Sequence, residues 1–346
     1  MINVGIVGAS GFTGAVLMRV AHGHPDVAVG LVTGASRAGT PVAELYPSLA
    51  GAYAGRCFEA LDPADDGDLD RLAGLDLVVL GLPHEASMRL APKLVERVGC
   101  VVDLSAAYRL RDATAYPSYY GFHHDQPELL ADAVYGLPEL HRKELPGARL
   151  VATPGCYVTT AALAMRPLVE SGVVETTGVI VDAASGVTGA GRSADLRYAF
   201  TTVDENLTAY GLLSHRHTPE MEQEIGAQVL FTPHLVPMNR GILATCYARA
   251  AEGAELSSDS LLELLHARWA DEPFVVVTDG VPATKSTLGS NAVHVTARYD
   301  DRTRTVVAIA ALDNLTKGAS GGAVQAANVA LGLPEAAGLT AVGLAP

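Results

Sequence analysis

Within its first two dozen residues the chain runs from an apolar stretch, Ile2–Val7, straight into Gly8-Ala9-Ser10-Gly11-Phe12-Thr13-Gly14. Helical spacing follows over 14–22, with Val16, Leu17 and Val20 on one side. No other feature restricts the fold as much. Glycine permits a tight turn and lets an anion approach backbone amides, and amides at a helix N-terminus point toward that anion. The spacing is G-x-x-G-x-x-G and departs from the G-x-G-x-x-G fingerprint, so the bare pattern is unspecific. Its position between a first strand and a first helix gives it meaning. Two readings stand: a cradle for a nucleotide pyrophosphate, or a purely structural turn.

The next hundred residues favour the first reading. Apolar runs recur at Val27–Val32, 75–80 and 100–104, with a helical stretch near 85–97. Short, fully apolar strands separated by helices are buried on both faces, which predicts a parallel, doubly wound sheet. Residues 105–150 are rich in Tyr, Pro and His and lack periodicity, so they read as long loops around a site. Helical spacing returns over 157–170 and at 318–331. Between them lie strand-like runs at 178–183, Val229–Val236, 241–250, 274–278, 292–299 and Thr305–Leu312, several of them alternating. The predicted fold class is α/β: an N-terminal Rossmann-like doubly wound domain, followed by an α+β domain on a mostly antiparallel sheet.

Two domains also suit 346 residues at roughly 100–200 residues each. The net charge of −14, with no basic stripe, argues against nucleic acid as the main partner and leaves anionic small molecules open. A hydrophobic fraction of 49% excludes a disordered chain. No apolar run reaches the length of about 20 residues that a membrane helix needs. The N-terminus reads as a strand rather than a signal peptide. Cys57, Cys100, Cys156 and Cys246 are scattered without a C-x-x-C pair, so reduced thiols in a cytoplasmic protein are expected, with no metal.

Five segments bear chemistry. At the end of the second strand a dinucleotide fold for NAD places Asp or Glu. Here the chain reads Val32-Thr33-Gly34-Ala35-Ser36-Arg37, with no acid. Ser36 and Arg37 suit a 2′-phosphate, which favours NADP(H), unless Arg37 is only a solvated loop residue. Thr153-Pro154-Gly155-Cys156-Tyr157 opens a helix, and a thiol there feels the positive end of the dipole, which favours thiolate. Cys156 is thus either a nucleophile or one more small core residue. Ser214-His215-Arg216-His217-Thr218-Pro219-Glu220 offers two histidines at a loop edge, with Thr218 as the expected N-cap and Pro219 at the first helical position. A nucleophilic Cys needs a base, and His215 or His217 could serve; a surface cluster or a metal pair is the alternative. The Gly-rich loop at 182–192, including Ser185 and Gly186, could admit a cofactor ring or a phosphate to backbone amides. Asn314 could bind a carboxamide or cap the final helix.

Taken in order, these segments resemble the N-acetyl-γ-glutamyl-phosphate reductase family of arginine biosynthesis, related to aspartate-semialdehyde dehydrogenase. The resemblance covers essentially the whole chain. It also includes Leu82-Pro83-His84, Asp103-Leu104-Ser105 with Arg109, Tyr135-Gly136-Leu137-Pro138-Glu139-Leu140, Arg240-Gly241-Ile242-Leu243, Gly289-Ser290-Asn291 and Asp313-Asn314-Leu315-Thr316-Lys317-Gly318. It implies Cys156 as nucleophile with His217 as acid/base partner and His215 as second candidate. Gly8, Ser10, Gly11, Phe12, Thr13 and Gly14 would hold the pyrophosphate. Asn314 and the Ser185-Gly186 loop would meet the nicotinamide, and Ser105 and Arg109 the substrate phosphate or carboxylate. It further implies a discontinuous NADP-binding domain, 1–154 with 315–346, around a catalytic and oligomerisation domain at 155–314, and a homodimer or homotetramer. The chain departs from the family pattern at Ala107, Tyr108, Val158 and Ala184. A paralogue reducing a carrier-protein-linked aminoadipyl phosphate for lysine biosynthesis lacks the Pro-Gly-Cys-Tyr form, which favours the arginine branch. Two other classes remain open: a nucleotide-independent cysteine hydrolase or acyltransferase, and a nucleotide-sensing protein without turnover.

Overall fold

The computed structural model describes residues 1–192 and 195–345. Ser193 and Ala194, inside the expected second domain, and Pro346, at the end of the expected first one, lie outside the described residues. The chain divides into two compact units, Met1–Pro154 with Ala319–Leu339, and Gly155–Gly318 with the residues from Thr340 on.

The first unit is built on six strands: β1 (Ile2–Val7), β2 (Val27–Val32), β3 (Leu77–Leu80), β4 (Cys100–Asp103), β5 (Val134–Tyr135) and β6 (Leu150–Ala152). They pair in the order β2-β1-β3-β4-β6-β5, every pair parallel. The period-2 alternation of side chains sends successive residues to opposite faces. Ile6, Leu77, Val79, Val102 and Val151 enter one core, packed under helices Phe12–His22 and Gly321–Ala330. Val7, Val78, Leu80, Val101 and Leu150 enter the other, under helices Asp66–Ala73 and His84–Leu94. The central strands β3, β4 and β6 are covered on both faces and buried throughout, whereas β2, at the edge, is only partly buried.

Residues 105–150 differ from the expected long loops. They contain the short helices Tyr116–Tyr120, Pro127–Asp132 and Pro138–His141, each with a proline in its first turn. Proline is pre-set for that position, because its missing N–H would have had no partner there.

The second unit holds seven strands: β7 (Val179–Gly186), β8 (Thr208–Ala209), β9 (Val229–Val236), β10 (Ile242–Arg249), β11 (Val275–Val277), β12 (Val293–Asp300) and β13 (Thr305–Leu312), ordered β11-β12-β13-β10-β7-β9-β8. The sheet is mixed. Four pairings are antiparallel, whereas β7–β9 and β11–β12 are parallel. The stretch linking β7 to β9 carries the helix Thr218–Ile225, and a parallel neighbour needs such a long crossover. Helix Cys156–Glu170 lies on this sheet and is covered in turn by helices Thr218–Ile225 and Ser258–Trp269. Its Leu163, Met165 and Leu168 are fully buried, each contributing ~1.5–3 kcal/mol.

The expected boundaries of 315–346 shift at both ends. Residues 315–318 stay with the second unit, where Asp313 holds their turn: its carboxylate accepts the amides of Leu315 and Thr316. The end of the chain returns there too, as Leu344 N–H donates to Leu288 O and Asn291 N–H to Thr340 O.

Candidate active site

In the first unit the glycine turn sits at the C-terminal edge of the sheet, at the point between β1 and β3 where the strand order reverses direction. Open parallel sheets bind ligands at such a switch point. Gly8 has φ +87°, and a Cβ on it would lie 2.3 Å from Gly81 O. Gly81 N–H donates to Val7 O at 2.7 Å, so the two strand ends touch and leave the crevice free of side chains there. Gly11 is the N-cap of helix Phe12–His22, whose first turn has no acidic residue. The positive end of that helix therefore meets no carboxylate of its own and is available to an anion, which fits a pyrophosphate. Ser10 is held by its carbonyl, which accepts the Tyr46 hydroxyl at 2.7 Å. After β2 the chain turns through Ala35–Arg37, where Ser36 and Arg37 are exposed.

Ser105 and Arg109 lie in the loop after β4 and are buried. The Ser105 hydroxyl donates to Asp103 Oδ2 at 2.6 Å. Arg109 donates through Nε to Thr153 O at 2.6 Å and through Nη2 to Leu104 O at 2.8 Å. Burial pushes the Asp103 carboxyl up, against the hydrogen bonds from Ser105. The observed bonds of both residues are thus spent on holding this loop.

In the second unit Cys156 is the first residue of its helix and is half-buried. Cys100 and Cys246 are buried, and burial pushes each thiol up to about 12; Cys57 is exposed. His217 is buried and lies against Gly155: a Cβ on Gly155 would fall 2.5 Å from His217 Nε2. Helix Thr218–Ile225 starts one residue earlier than expected, with His217 rather than Thr218 at the N-cap. His215 Nδ1 accepts the His217 backbone N–H at 3.1 Å, which requires a neutral ring with its proton on Nε2. Burial, followed by the Arg216 charge, lowers the pKa of His215 to about 4. The two rings sit 4.8 Å apart, and Tyr157 packs edge-on against both. Tyr157 donates its hydroxyl to His234 O and accepts that of Tyr210, each at 3.1 Å. Burial, then the neighbouring Tyr210, pushes Tyr157 far above the usual phenol range.

The remaining expected residues converge nearby. Gly186 N–H donates to Gly241 O. Asn314 Oδ1 accepts Gly241 N–H at 2.8 Å, and its Nδ2 donates to Thr188 Oγ1 at 3.0 Å. Asn314 is therefore not a helix cap; it ties its turn to the Ser185-Gly186 loop. The final helix starts later, with Ser320 at its N-cap, and the neighbouring buried Asp313, which holds the turn before it, also accepts Gly289 N–H and pairs with Arg240. This turn carries Gly318, on which a Cβ would lie 2.8 Å from Cys156 Cβ.

Sequence reasoning did not single out Glu220, whose Oε1 accepts Gly155 N–H at 2.8 Å. A carboxylate three residues after a candidate base, in the first turn of the same helix, was the available signal. Among the described residues no cluster of His, Cys, Asp or Glu is arranged to hold a metal ion, and no helix is long and apolar enough to cross a membrane.

Comparison with known proteins agrees with this architecture. The family model for the NAD binding domain of semialdehyde dehydrogenases matches residues 3–148, and that for their dimerisation domain matches 156–314. Aspartate semialdehyde dehydrogenase II of Vibrio cholerae, solved in complex with ASA, has the same fold, with a TM-score of 0.70 at 16% identity over 95% of this chain and 98% of that one. The Candida albicans enzyme, solved with NADP, gives 0.70 at 15% identity over the same shares. The N-acetyl-gamma-glutamyl-phosphate reductase of Geobacter sulfurreducens is 44% identical, with all of both chains covered. That of Symbiobacterium thermophilum is 45% identical over 99% of this chain and 98% of its own. A Rossmann-like nucleotide-binding domain and a mixed-sheet dimerisation domain, at this identity over the full length, place the chain in the N-acetyl-gamma-glutamyl-phosphate reductase family.

Proposed function

We propose that this chain reduces N-acetyl-L-glutamyl 5-phosphate to N-acetyl-L-glutamate 5-semialdehyde and phosphate, with NADPH, in arginine biosynthesis. The observation that carries the reading is Cys156 at a helix N-terminus beside Gly155, with the His217 imidazole packed on that glycine. The Cys156 thiolate attacks the acyl carbon, the C–O bond to phosphate breaks, and a thioester remains on Cys156. When bound, NADPH supplies the hydride that reduces this thioester. His217 gives a proton to the oxygen that accumulates charge, forming a thiohemiacetal. It takes that proton back as the C–S bond breaks, so aldehyde leaves and the thiolate is restored. His215, neutral and bonded to the His217 amide, orients the base.

In this reading Gly8, Ser10, Gly11, Phe12, Thr13 and Gly14 hold the pyrophosphate in a discontinuous nucleotide-binding domain. The acid-free end of β2, with Ser36 and Arg37 exposed, supports NADP(H) over NAD(H). Asn314 and the Ser185-Gly186 loop, already tied together, form the wall for the nicotinamide. Ser105 and Arg109 act on the substrate side by bracing the loop after β4. A cytoplasmic homo-oligomer goes with this reading.

The test is the reverse reaction. Purified protein is mixed with NADP, phosphate and N-acetylglutamate semialdehyde, and NADPH is followed by absorbance. Phosphate-dependent NADPH formation is expected. No signal from protein that binds NADPH would reject the substrate, and the aminoadipyl series would be tried next.

A further inference from the structure

We infer that Glu220 is a positioning residue that sets Cys156 in register with His217. The inference rests on the reading of those two residues as nucleophile and acid/base partner, and adds what holds them. The helix that starts at Cys156 has an N-cap without a side chain, Gly155, and no acidic residue in its first turn. Nothing local accepts the Gly155 N–H. The acceptor comes from 65 residues away, where Glu220, fully buried, places Oε1 at 2.8 Å. Glu220 stands in the first turn of helix Thr218–Ile225, the helix that His217 caps. One turn of one helix therefore presents two side chains to the same glycine. The imidazole packs where a Cβ would be, and the carboxylate takes the N–H.

The chemistry of that grip is specific. The amide of an N-cap residue would be left buried and unsatisfied without an acceptor. A carboxylate at that spot also lies at the positive ends of two helices, its own and that of Cys156, so charge and hydrogen bond favour one geometry. The thiol is the next residue along the chain. A shift of Gly155 would move Cys156 relative to His217, and about 1 Å of misplacement costs on the order of 100-fold in rate.

The test compares Glu220→Ala, Glu220→Gln and Glu220→Asp by three readouts: the rate of Cys156 alkylation by iodoacetamide across pH, kcat and KM of the reverse reaction, and the melting temperature. Glutamine keeps an oxygen acceptor at the same reach; aspartate withdraws it by one methylene. Glu220→Ala is expected to lose about 100-fold in kcat, with KM changed less than about threefold, and its alkylation profile should move toward that of a free thiol. Glu220→Asp should follow it. Glu220→Gln should recover most of both losses. If Glu220→Ala does not fold, the contrast between Gln and Asp decides. An alkylation profile that is unmoved in every variant, with only the melting temperature lowered, would reduce Glu220 to packing and overturn the inference. Glutamine as impaired as alanine in kcat, yet with a wild-type alkylation profile, would also overturn it, since the carboxylate would then act in the chemistry rather than hold Cys156. Alkylation needs no substrate. A wild-type protein inactive on N-acetylglutamate semialdehyde, yet showing the expected alkylation pattern, would reject the proposed substrate and uphold the role of Glu220.

Discussion

Replacing Gly155 by alanine tests the proposed site through a single methyl group. Gly155 has φ −67° and ψ 143°, a backbone conformation that any L-residue adopts without strain. The damage is therefore steric and falls on one side chain. The new Cβ would lie 2.5 Å from His217 Nε2, 2.7 Å from Cε1 and 2.8 Å from Cδ2. Carbon contacts settle at about 3.5–4.0 Å, so the imidazole must retreat by about 1 Å. Its way is obstructed by His215, 4.8 Å between ring centroids, and by Tyr157 at 6.0 Å. A base displaced that far costs about 100-fold in rate, or about 2.7 kcal/mol of barrier. Overpacking lowers stability by ~1–3 kcal/mol, and the stiffer unfolded chain returns ~0.4–1 kcal/mol of that. The protein should stay folded, with a melting temperature lower by only a few degrees. The assay is the initial rate of phosphate-dependent NADP reduction, alongside a nucleotide titration and a thermal melt. A loss of about 100-fold in kcat is expected, with NADPH affinity unchanged because Gly155 is not part of the glycine turn. A kcat within threefold of wild type would refute the claim that His217 must rest on Gly155 to act.

Cys156→Ser should abolish turnover while a fluorescence titration still reports NADPH binding; substantial residual reductase activity would sink the covalent scheme. Gly8→Ala combines a φ of +87° with a Cβ 2.3 Å from Gly81 O, so it should lower the melting temperature and weaken nucleotide binding together, and a wild-type melt would contradict the turn described. His215 has its pKa lowered to about 4 in the folded protein, against about 6.5 unfolded. The unfolded chain therefore binds more protons between those values, so this stability is fully present above pH 6.5 and is lost as pH falls toward 4. The loss is at most about 3 kcal/mol. Denaturant melts at pH 7 and pH 5 should show that slope, and His215→Asn should flatten it; an unchanged slope would rule out a buried neutral ring.

How much of this could be read in advance depended on how local each signal was. β3 and β4 were legible because burial on both faces leaves a continuous apolar run, and β1 and β2 because they are apolar over most of their length although β2, at the edge, is only partly buried. β5 and β6 have two and three residues, too few for any period to show. Helix Ser258–Trp269 is also written locally, in the capping box of Ser257 and Ser260 and in Leu261, Leu265 and Trp269 at helical spacing. The lack of periodicity in 105–150 reads as loop, whereas Pro117, Pro127 and Pro138 each stand in the first turn of a short helix.

The candidate site divides along the same line. The amino-acid order alone determined the glycine turn after the first strand and the cysteine at the mouth of a helix. It also placed two histidines just ahead of another helix. Each is written in residues a few positions apart, where backbone geometry acts directly. Which histidine rests on Gly155, and that Glu220 takes its amide, was decided only by packing. So were the Gly241-mediated tie between Asn314 and the Ser185-Gly186 loop and the parallel pairing of β7 with β9. Those contacts join residues dozens of positions apart. No local propensity specifies them, because each forms only when segments distant in the chain are packed against one another.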